Sequence, residues 1–245
     1  MARGEPTPPP LPPAERTVGQ LVAEAIRLYG HRFWRSAALG VGPAVLALVL
    51  GGVDRSTWLV LMPTAGGIVL TASYVGAVAI SSGARFDARR WLLALAAGTL
   101  AFVPFPFLLL LFLVPGLAWL ALVGLVVPVV VLERRGLRAS FARAIDLGRA
   151  DFVHALGSLA TLAIVILLTQ TMLVVVLHGQ GDQTIRVASF LAFVVLWPLM
   201  FLGAALLYFD QAARAARATR RLGGADHQDV PALPARPSSP HRPIR

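Results

Sequence analysis

The sequence predicts an all-α membrane protein, a polytopic transmembrane bundle of six spans with two interfacial amphipathic helices. Hydrophobic residues make up 57% of the 245-residue chain and charged residues only 14%, which is outside the range of a soluble domain of this size. Several uncharged runs reach the roughly 20 apolar residues that cross a bilayer core about 30 Å thick. The arginines are concentrated between these runs and at both ends of the chain.

The chain begins with a Pro-rich arm, residues 1–16, which has little to bury and is predicted to be disordered. A capping box formed by Thr17 and Gln20 then starts a helix. Its apolar residues recur at helical spacing, at Val18, Leu21, Val22, Ala25, Ile26 and Tyr29. The pattern predicts an amphipathic helix that lies on the membrane surface and does not span it. No signal peptide is recognised, so the first apolar span is expected to direct insertion.

Six spans follow, each of a length suited to a transmembrane helix. Their predicted bounds are 36–53, 57–80, 91–113, 115–132, 155–177 and 187–208. The third and fourth spans come from one uncharged run that is about 63 Å long if wholly helical, roughly two crossings. A turn at Pro115 divides this run into two adequate lengths, and Pro104 and Pro106 are then kinks. Whether both legs cross fully or form a re-entrant hairpin stays open.

The distribution of arginine predicts the orientation of the spans. All 22 basic residues are arginine, a bias that suggests a GC-rich bacterial genome. With six spans and a cytoplasmic N-terminus, 20 of the 22 lie in the cytoplasm, and only Arg55 and Arg186 lie outside. This asymmetry predicts a bacterial plasma-membrane protein with both termini in the cytoplasm. The expected partners of these arginines are the bilayer and its anionic lipid head groups, and not nucleic acid.

The segment between the fourth and fifth spans contains the second predicted amphipathic helix, over residues 137–152. Glu133 directly follows the fourth span and is expected to pair with Arg143 or with another arginine. Arg143 and Asp146 have the i,i+3 spacing of a helical ion pair. His154, at the start of the fifth span, is predicted to be a solvated interfacial histidine.

The last span is predicted to continue as a helix beyond the membrane, because arginines recur at every third or fourth position after it. Gly223 and Gly224 are expected to end this helix. The membrane domain is therefore assigned to residues 17–222, and residues 223–245 are predicted to be a disordered Pro- and Arg-rich tail.

Few residues in the sequence point to chemistry. Cysteine is absent, which excludes disulfides and thiolate metal sites. The predicted spans contain no ionisable group at depth, so no catalytic, cofactor-binding or metal-binding residue is assigned. Gln170, in the fifth span, is the most polar intramembrane position. It suits an interhelical hydrogen bond or a contact with a substrate.

Three segments carry a resemblance to a known family. They are RTVGQLVAEAIRLYGHRFW near the start, PGLAWLALVGLVVPVVVLERRGLRASFARAIDLGRADFVHALGSL in the middle, and LLYFDQAARAAR near the end. In this order they resemble the membrane domain associated with glycerophosphodiester phosphodiesterases, whose stand-alone bacterial relatives are mostly of unknown function. The positions that match its pattern are Glu133, Gly136, Arg143, Tyr208 and Asp210.

The resemblance implies a fold and a membrane location, because the phosphodiesterase domain itself does not occur in this sequence. Ala144 also departs from the family, which often has Ser at that position. We therefore expect a non-catalytic accessory or scaffold-like membrane component, with another membrane protein as a possible partner and no cofactor. The alternative is a transporter or a lipid-handling permease component with a substrate path near Gln170. A membrane-associated enzyme is the third hypothesis.

Overall fold

A computed structural model describes residues 12–85 and 87–225, with side chains as far as residue 220. These residues form helices, and the described part of the chain contains no strand. The α-helices in chain order are α1 (Val18–His31), α2 (Phe33–Leu50), α3 (Arg55–Leu61), α4 (Gly67–Ser82), α5 (Ala88–Phe102), α6 (Phe105–Leu111), α7 (Leu113–Val123), α8 (Val126–Leu132), α9 (Leu137–Ala150), α10 (Phe152–Val176) and α11 (Asp182–Ala225).

Six helical segments are long and apolar enough to cross a membrane, which confirms the predicted all-α polytopic bundle. They are Phe33–Leu50, Arg55–Ser82, Ala88–Leu111, Leu113–Leu132, Phe152–Val176 and Asp182–Arg220. The second of these segments joins α3 to α4 through a π-helical turn, Met62–Gly66, that contains Pro63. Proline has no N–H to donate, and the wider i→i+5 hydrogen-bond pattern of a π-helical turn accommodates it. The helical segment therefore continues across this position.

One end of the bundle collects most of the arginines, and we call it the arginine-rich end. Hydrogen bonds place Arg32 beside the end of α4, Glu133 beside Tyr208, and Asp151 beside Arg214. The start of α2, the start of α10 and the C-terminal part of α11 therefore meet at this end, as an even number of alternating spans requires. The opposite end carries the segments 51–54 and 177–181 and the reversal between α6 and α7.

The capping box that starts α1 is present. Thr17 donates its backbone N–H to Gln20 Oε1 at 2.8 Å, and Gln20 N–H donates to Thr17 Oγ1 at 3.4 Å. The buried face of α1 packs against α10 and α11 at the arginine-rich end. Residues 13–15 form one turn of 3-10 helix that also contacts α11, so this part of the predicted disordered arm is ordered. Residues 1–11 lie outside the described residues.

The run of residues 91–132 folds as two antiparallel legs, because α5 packs against α8 and α6 against α7. The legs contain 24 and 20 residues, and each is long enough to cross a membrane. The predicted turn at Pro115 is wrong by three residues, since the chain reverses at Phe112, whose backbone is extended (φ −164°, ψ 158°). Pro115 lies in the first turn of α7, where a missing N–H is tolerated. The predicted kink at Pro104 is present as the break between α5 and α6.

The 44-residue helix α11 is the central element, and it contacts α1, α2, α4, α9 and α10. The predicted stop at Gly223 and Gly224 is wrong, because α11 continues through both glycines to Ala225. A glycine in a helix costs only about 1 kcal/mol, and it ends the helix only when it adopts a left-handed backbone. Gly83, with φ 68°, does so at the end of α4. The rest of the predicted tail lies outside the described residues.

The packing of α10 and α11 differs between the two ends of the bundle. All buried residues of α10 lie between residues 154 and 162. From residue 163 to residue 197, which covers the rest of α10 and the first part of α11, no residue is buried. The side chains of α10 and α11 are therefore fully buried only toward the arginine-rich end and at most partly buried toward the opposite end, although the backbone of α11 still meets α2 closely at Val194.

Gly40 allows α2 to approach α11 closely, because a Cβ atom there would overlap the backbone carbonyl of Val194. We expect Gly40→Ala to destabilise the protein by about 1–3 kcal/mol, since the two helices have to move apart. Gly30→Ala is the control, because a Cβ at Gly30 meets no atom within 4 Å. Thermal unfolding in detergent should give a lower Tm for Gly40→Ala and an unchanged or higher Tm for Gly30→Ala. Equal Tm values for the two variants would contradict the packing.

Candidate functional site

Glu133 lies at the end of α8 and joins three helices at the arginine-rich end. Its carboxylate accepts from Tyr208 Oη at 3.2 Å, from Arg143 Nε at 3.3 Å and from Arg135 Nε at 2.8 Å. The structure thus brings together three of the residues singled out from the sequence, one each from the end of α8, α9 and α11. This arrangement fixes the amphipathic helix α9 against the last span.

Asp210 is fully buried, with 0% of its side chain exposed. Its Oδ1 accepts from Arg16 Nη1 at 2.8 Å, and its Oδ2 lies 3.6 Å from His154 Nε2. The prediction of a solvated His154 is wrong, since this histidine is buried where α10 meets α11. A carboxylate without solvent needs a charged or hydrogen-bonding partner. Asp210 therefore holds the N-terminal segment and the start of α10 against α11.

Arg214 extends these contacts one helical turn further along α11. Its Nη1 donates to Asp151 Oδ2 at 2.6 Å, and its Nη2 donates to the Arg16 carbonyl at 2.7 Å. Gln211, which is fully buried, donates through Nε2 to the Asp151 carbonyl at 2.9 Å. Asp151 also caps α10 by accepting from the His154 backbone N–H at 3.1 Å. We call this group the buried polar network. Its members are the buried residues His154, Asp210 and Gln211 and the partly buried residues Arg16, Asp151 and Arg214.

Most contacts of the buried polar network are not predicted by the sequence. Asp210, Gln211 and Arg214 do share the helical face that is buried in the last span, and that spacing is the one local signal of the network. The predicted pair between Arg143 and Asp146 is absent from the ion pairs of the described side chains. Arg143 bonds Glu133 instead, and Asp146 is exposed on the outer face of α9.

A large apolar cavity, with a volume of about 670 Å³, extends along α10 (residues 159–174) and α11 (residues 189–207) toward the opposite end of the bundle. Residues of α4, α6, α7, α10 and α11 form its walls, mostly with aliphatic and aromatic side chains. It lies between α10, α11 and the hairpin of α6 and α7. Among the residues that line it are Phe105, Leu113, Ile166, Gln170, Phe193 and Trp197.

Gln170 is the main polar group in this apolar wall. Its side-chain Nε2 is enclosed and has no hydrogen-bond partner among the described residues. The neighbouring Thr169 donates its hydroxyl to the Val165 carbonyl at 2.7 Å and is thus satisfied within its own helix. The sequence predicts either an interhelical hydrogen bond or a substrate contact for Gln170. Among the described residues, no interhelical partner hydrogen-bonds to its Nε2. The cavity can therefore hold an apolar chain that brings a hydrogen-bond acceptor to this amide.

Two groups outside the spans have shifted pKa values. Burial raises the pKa of the Tyr29 hydroxyl in α1. Hydrogen bonds from Ser56 and Thr57 lower the pKa of Asp54 well below its usual range. Asp54 is the N-cap of α3 at the opposite end of the bundle, so its carboxylate stays ionised and keeps capping that helix at neutral pH.

The fold and these two regions define a multi-pass α-helical membrane protein with a buried polar network at one end and an apolar cavity toward the other. Among residues 12–85 and 87–225, no group of three or more His, Asp or Glu side chains could hold a metal ion. Compared with protein-family models, with curated proteins and with solved structures, the chain has no match. The functional conclusion therefore rests on the geometry of the network and the cavity.

We expect Asp210→Asn to destabilise the protein by about 3 kcal/mol, because it leaves the largely enclosed guanidinium of Arg16 without its counter-charge. The control is Asp146→Asn, which removes the same charge from an exposed residue of α9. Chemical unfolding in detergent micelles should show the loss for Asp210→Asn and a change below about 0.5 kcal/mol for Asp146→Asn. If the two variants lose equal stability, Asp210 does not have the structural role described.

Proposed function

We propose that the protein is a non-catalytic, lipid-handling component of the bacterial plasma membrane, whose cavity accommodates the acyl chain of a membrane lipid. The cavity of about 670 Å³ carries this proposal. Its volume is within the roughly 300–1,000 Å³ of ligand sites in proteins, and its walls are apolar. The sequence favours an accessory role and has lipid handling as the alternative. The apolar cavity favours lipid handling over the accessory role.

The position of the cavity favours an occupant that arrives from the bilayer. Residues 163–197 of α10 and α11 are at most partly buried, so the cavity wall that they form borders the surrounding lipid. An apolar chain gains no hydrophobic free energy when it moves from lipid into such a site, because both environments are apolar. Occupancy instead restores the dispersion contacts that an empty space of this size would forgo.

The position of Gln170 favours, as the occupant of the cavity, a lipid with a carbonyl group over a pure hydrocarbon. The 25-residue helix α10 is about 37 Å long and exceeds a hydrocarbon core of about 30 Å. Gln170 lies six residues before its end and is thus only a few Å inside the edge of that core. The ester carbonyl of a lipid can accept from Gln170 Nε2, which relieves the cost of an unsatisfied buried donor.

The orientation is part of the same proposal. Arginines at one end of a bundle favour placing that end in the cytoplasm, so we place both termini there. Because the chain has no cysteine, single thiols can be introduced without background.

We expect a thiol introduced by Asp182→Cys to react with an impermeant maleimide in intact cells. A thiol introduced by Gly224→Cys should react only after the membrane is permeabilised. Labelling with the reverse pattern would show that the orientation is inverted.

An accessory role with a membrane partner is the second candidate, and the length of α11 favours it. Residues 216–220 of α11 extend past the bundle and are exposed, with Arg217 and Arg220 among them. The resemblance to the membrane domain of glycerophosphodiester phosphodiesterases is compatible with either role. This candidate predicts that a stoichiometric protein partner is retained during purification in mild detergent. Repeated isolation of the chain alone would count against it.

The cavity proposal predicts that Leu167→Trp reduces lipid retention, because the larger ring occupies space beside Gln170. Leu168→Trp is the matched control, since Leu168 is the adjacent residue of α10 and is similarly exposed but does not line the cavity. Native mass spectrometry of protein released from lipid nanodiscs should show bound lipid on the wild type and on Leu168→Trp, and several-fold less on Leu167→Trp.

Gln170→Leu tests the hydrogen bond separately in the same experiment. It keeps the apolar volume and removes the donor, so we expect about a threefold to tenfold loss of retained ester lipid, the effect of about one hydrogen bond. Equal lipid retention by the wild type, Leu167→Trp and Gln170→Leu would contradict the proposed function.

A further inference from the structure

We propose that the arginine-rich end has a separate anion-binding site, formed between the start of α5 and the end of α8, that takes a phosphate group. A second cavity of about 350 Å³ lies there. Arg85, Arg90 and Arg134 line it, together with Asp87. This chemistry suits the phosphate of a lipid head group or a free phosphate ion, because a guanidinium binds phosphate oxygens through paired hydrogen bonds.

The described residues that line this cavity do not balance its charge. Three guanidinium groups and one carboxylate line it, a net charge of +2. Asp87 Oδ1 is 3.1 Å from Arg90 Nε, so this carboxylate is already engaged with one of the three arginines. Arg90 Nη1 is enclosed and has no hydrogen-bond partner among the described residues. A bound phosphate would neutralise the excess charge and supply acceptors for the remaining donors.

The backbone of Arg134 gives independent support. With φ 58°, it is the one residue other than glycine in the described chain that has a left-handed backbone. Such a conformation costs about 1 kcal/mol or more outside glycine, and strained residues of this kind cluster at ligand sites. The left-handed turn separates two neighbouring arginines, so that Arg134 lines the cavity while Arg135 bonds Glu133.

The N-terminus of α5 adds an electrostatic field that favours an anion. Asp87 is the N-cap residue of this helix, but its side chain makes no capping hydrogen bond. The first backbone N–H groups of a helix carry partial positive charge and favour an anion nearby. Val131 and Leu132 complete the lining with apolar side chains, as suits the region where a lipid head group meets its acyl chains.

This site is separate from the apolar cavity of the proposed function. It lies where α5 begins and α8 ends, whereas the apolar cavity borders α6 and α7 at the other end of the same hairpin. It also differs from a general attraction of arginines to anionic lipid. That attraction depends on the number of arginines, while the proposed site depends on which arginines are present.

The test uses the full-length protein and three single variants. Arg90→Gln and Arg134→Asn each remove one guanidinium from the cavity, and asparagine tolerates the left-handed backbone at residue 134. Arg89→Gln is the matched control, because Arg89 is exposed at the start of α5 and does not line the cavity. In one arm, native mass spectrometry counts the lipids retained from nanodiscs of equal phosphatidylglycerol and phosphatidylcholine. In the other arm, thermal unfolding in detergent is followed during a titration with inorganic phosphate.

We expect the wild type and Arg89→Gln to retain phosphatidylglycerol selectively, and Arg90→Gln and Arg134→Asn to retain about tenfold less. This result identifies a lipid head group as the ligand. If phosphate raises the Tm of the wild type and Arg89→Gln alone, and no lipid is selected, the ligand is a free phosphate. Equal behaviour of all four proteins in both arms, or an equal loss in Arg89→Gln, overturns the proposal.

Discussion

The buried carboxylate of Asp210 sets how the helices meet at the arginine-rich end. It has no exposed surface, so its charge has to be matched by Arg16, which precedes α1. His154, in the first turn of α10, lies 3.6 Å from its other oxygen. Arg214 then ties the same N-terminal segment to Asp151. The packing of α1, α10 and α11 at this end follows from one charge that the last span carries just beyond Tyr208.

The opposite end has no comparable constraint among the described residues. Residues 163–197 contribute no buried side chain, and the polar groups that line the cavity between α10 and α11 are few. Apolar packing between helices has little advantage over packing against lipid. The apolar cavity extends into this region, where Ile166, Gln170, Phe193 and Trp197 line it.

The spans were predictable because their signal is local, whereas the network and the reversal depend on tertiary contacts. Hydropathy and arginine placement found six spans and the even count. The reversal at Phe112 was missed because an extended apolar residue gives no turn signal, while Pro115 gives a strong one that suits a helix start equally well. The burial of His154 could not be predicted, because its partner is 56 positions away along the chain.

The two proposed sites use different parts of the same hairpin, with charge where α5 and α8 meet and apolar surface where α6 and α7 meet.

The central claim is that a membrane lipid occupies the apolar cavity. A cryo-EM map of the protein in a lipid nanodisc tests it most directly. The account predicts elongated density between α10 and α11 with a head near Gln170. A map in which these helices close against each other, with no cavity between them, would contradict it.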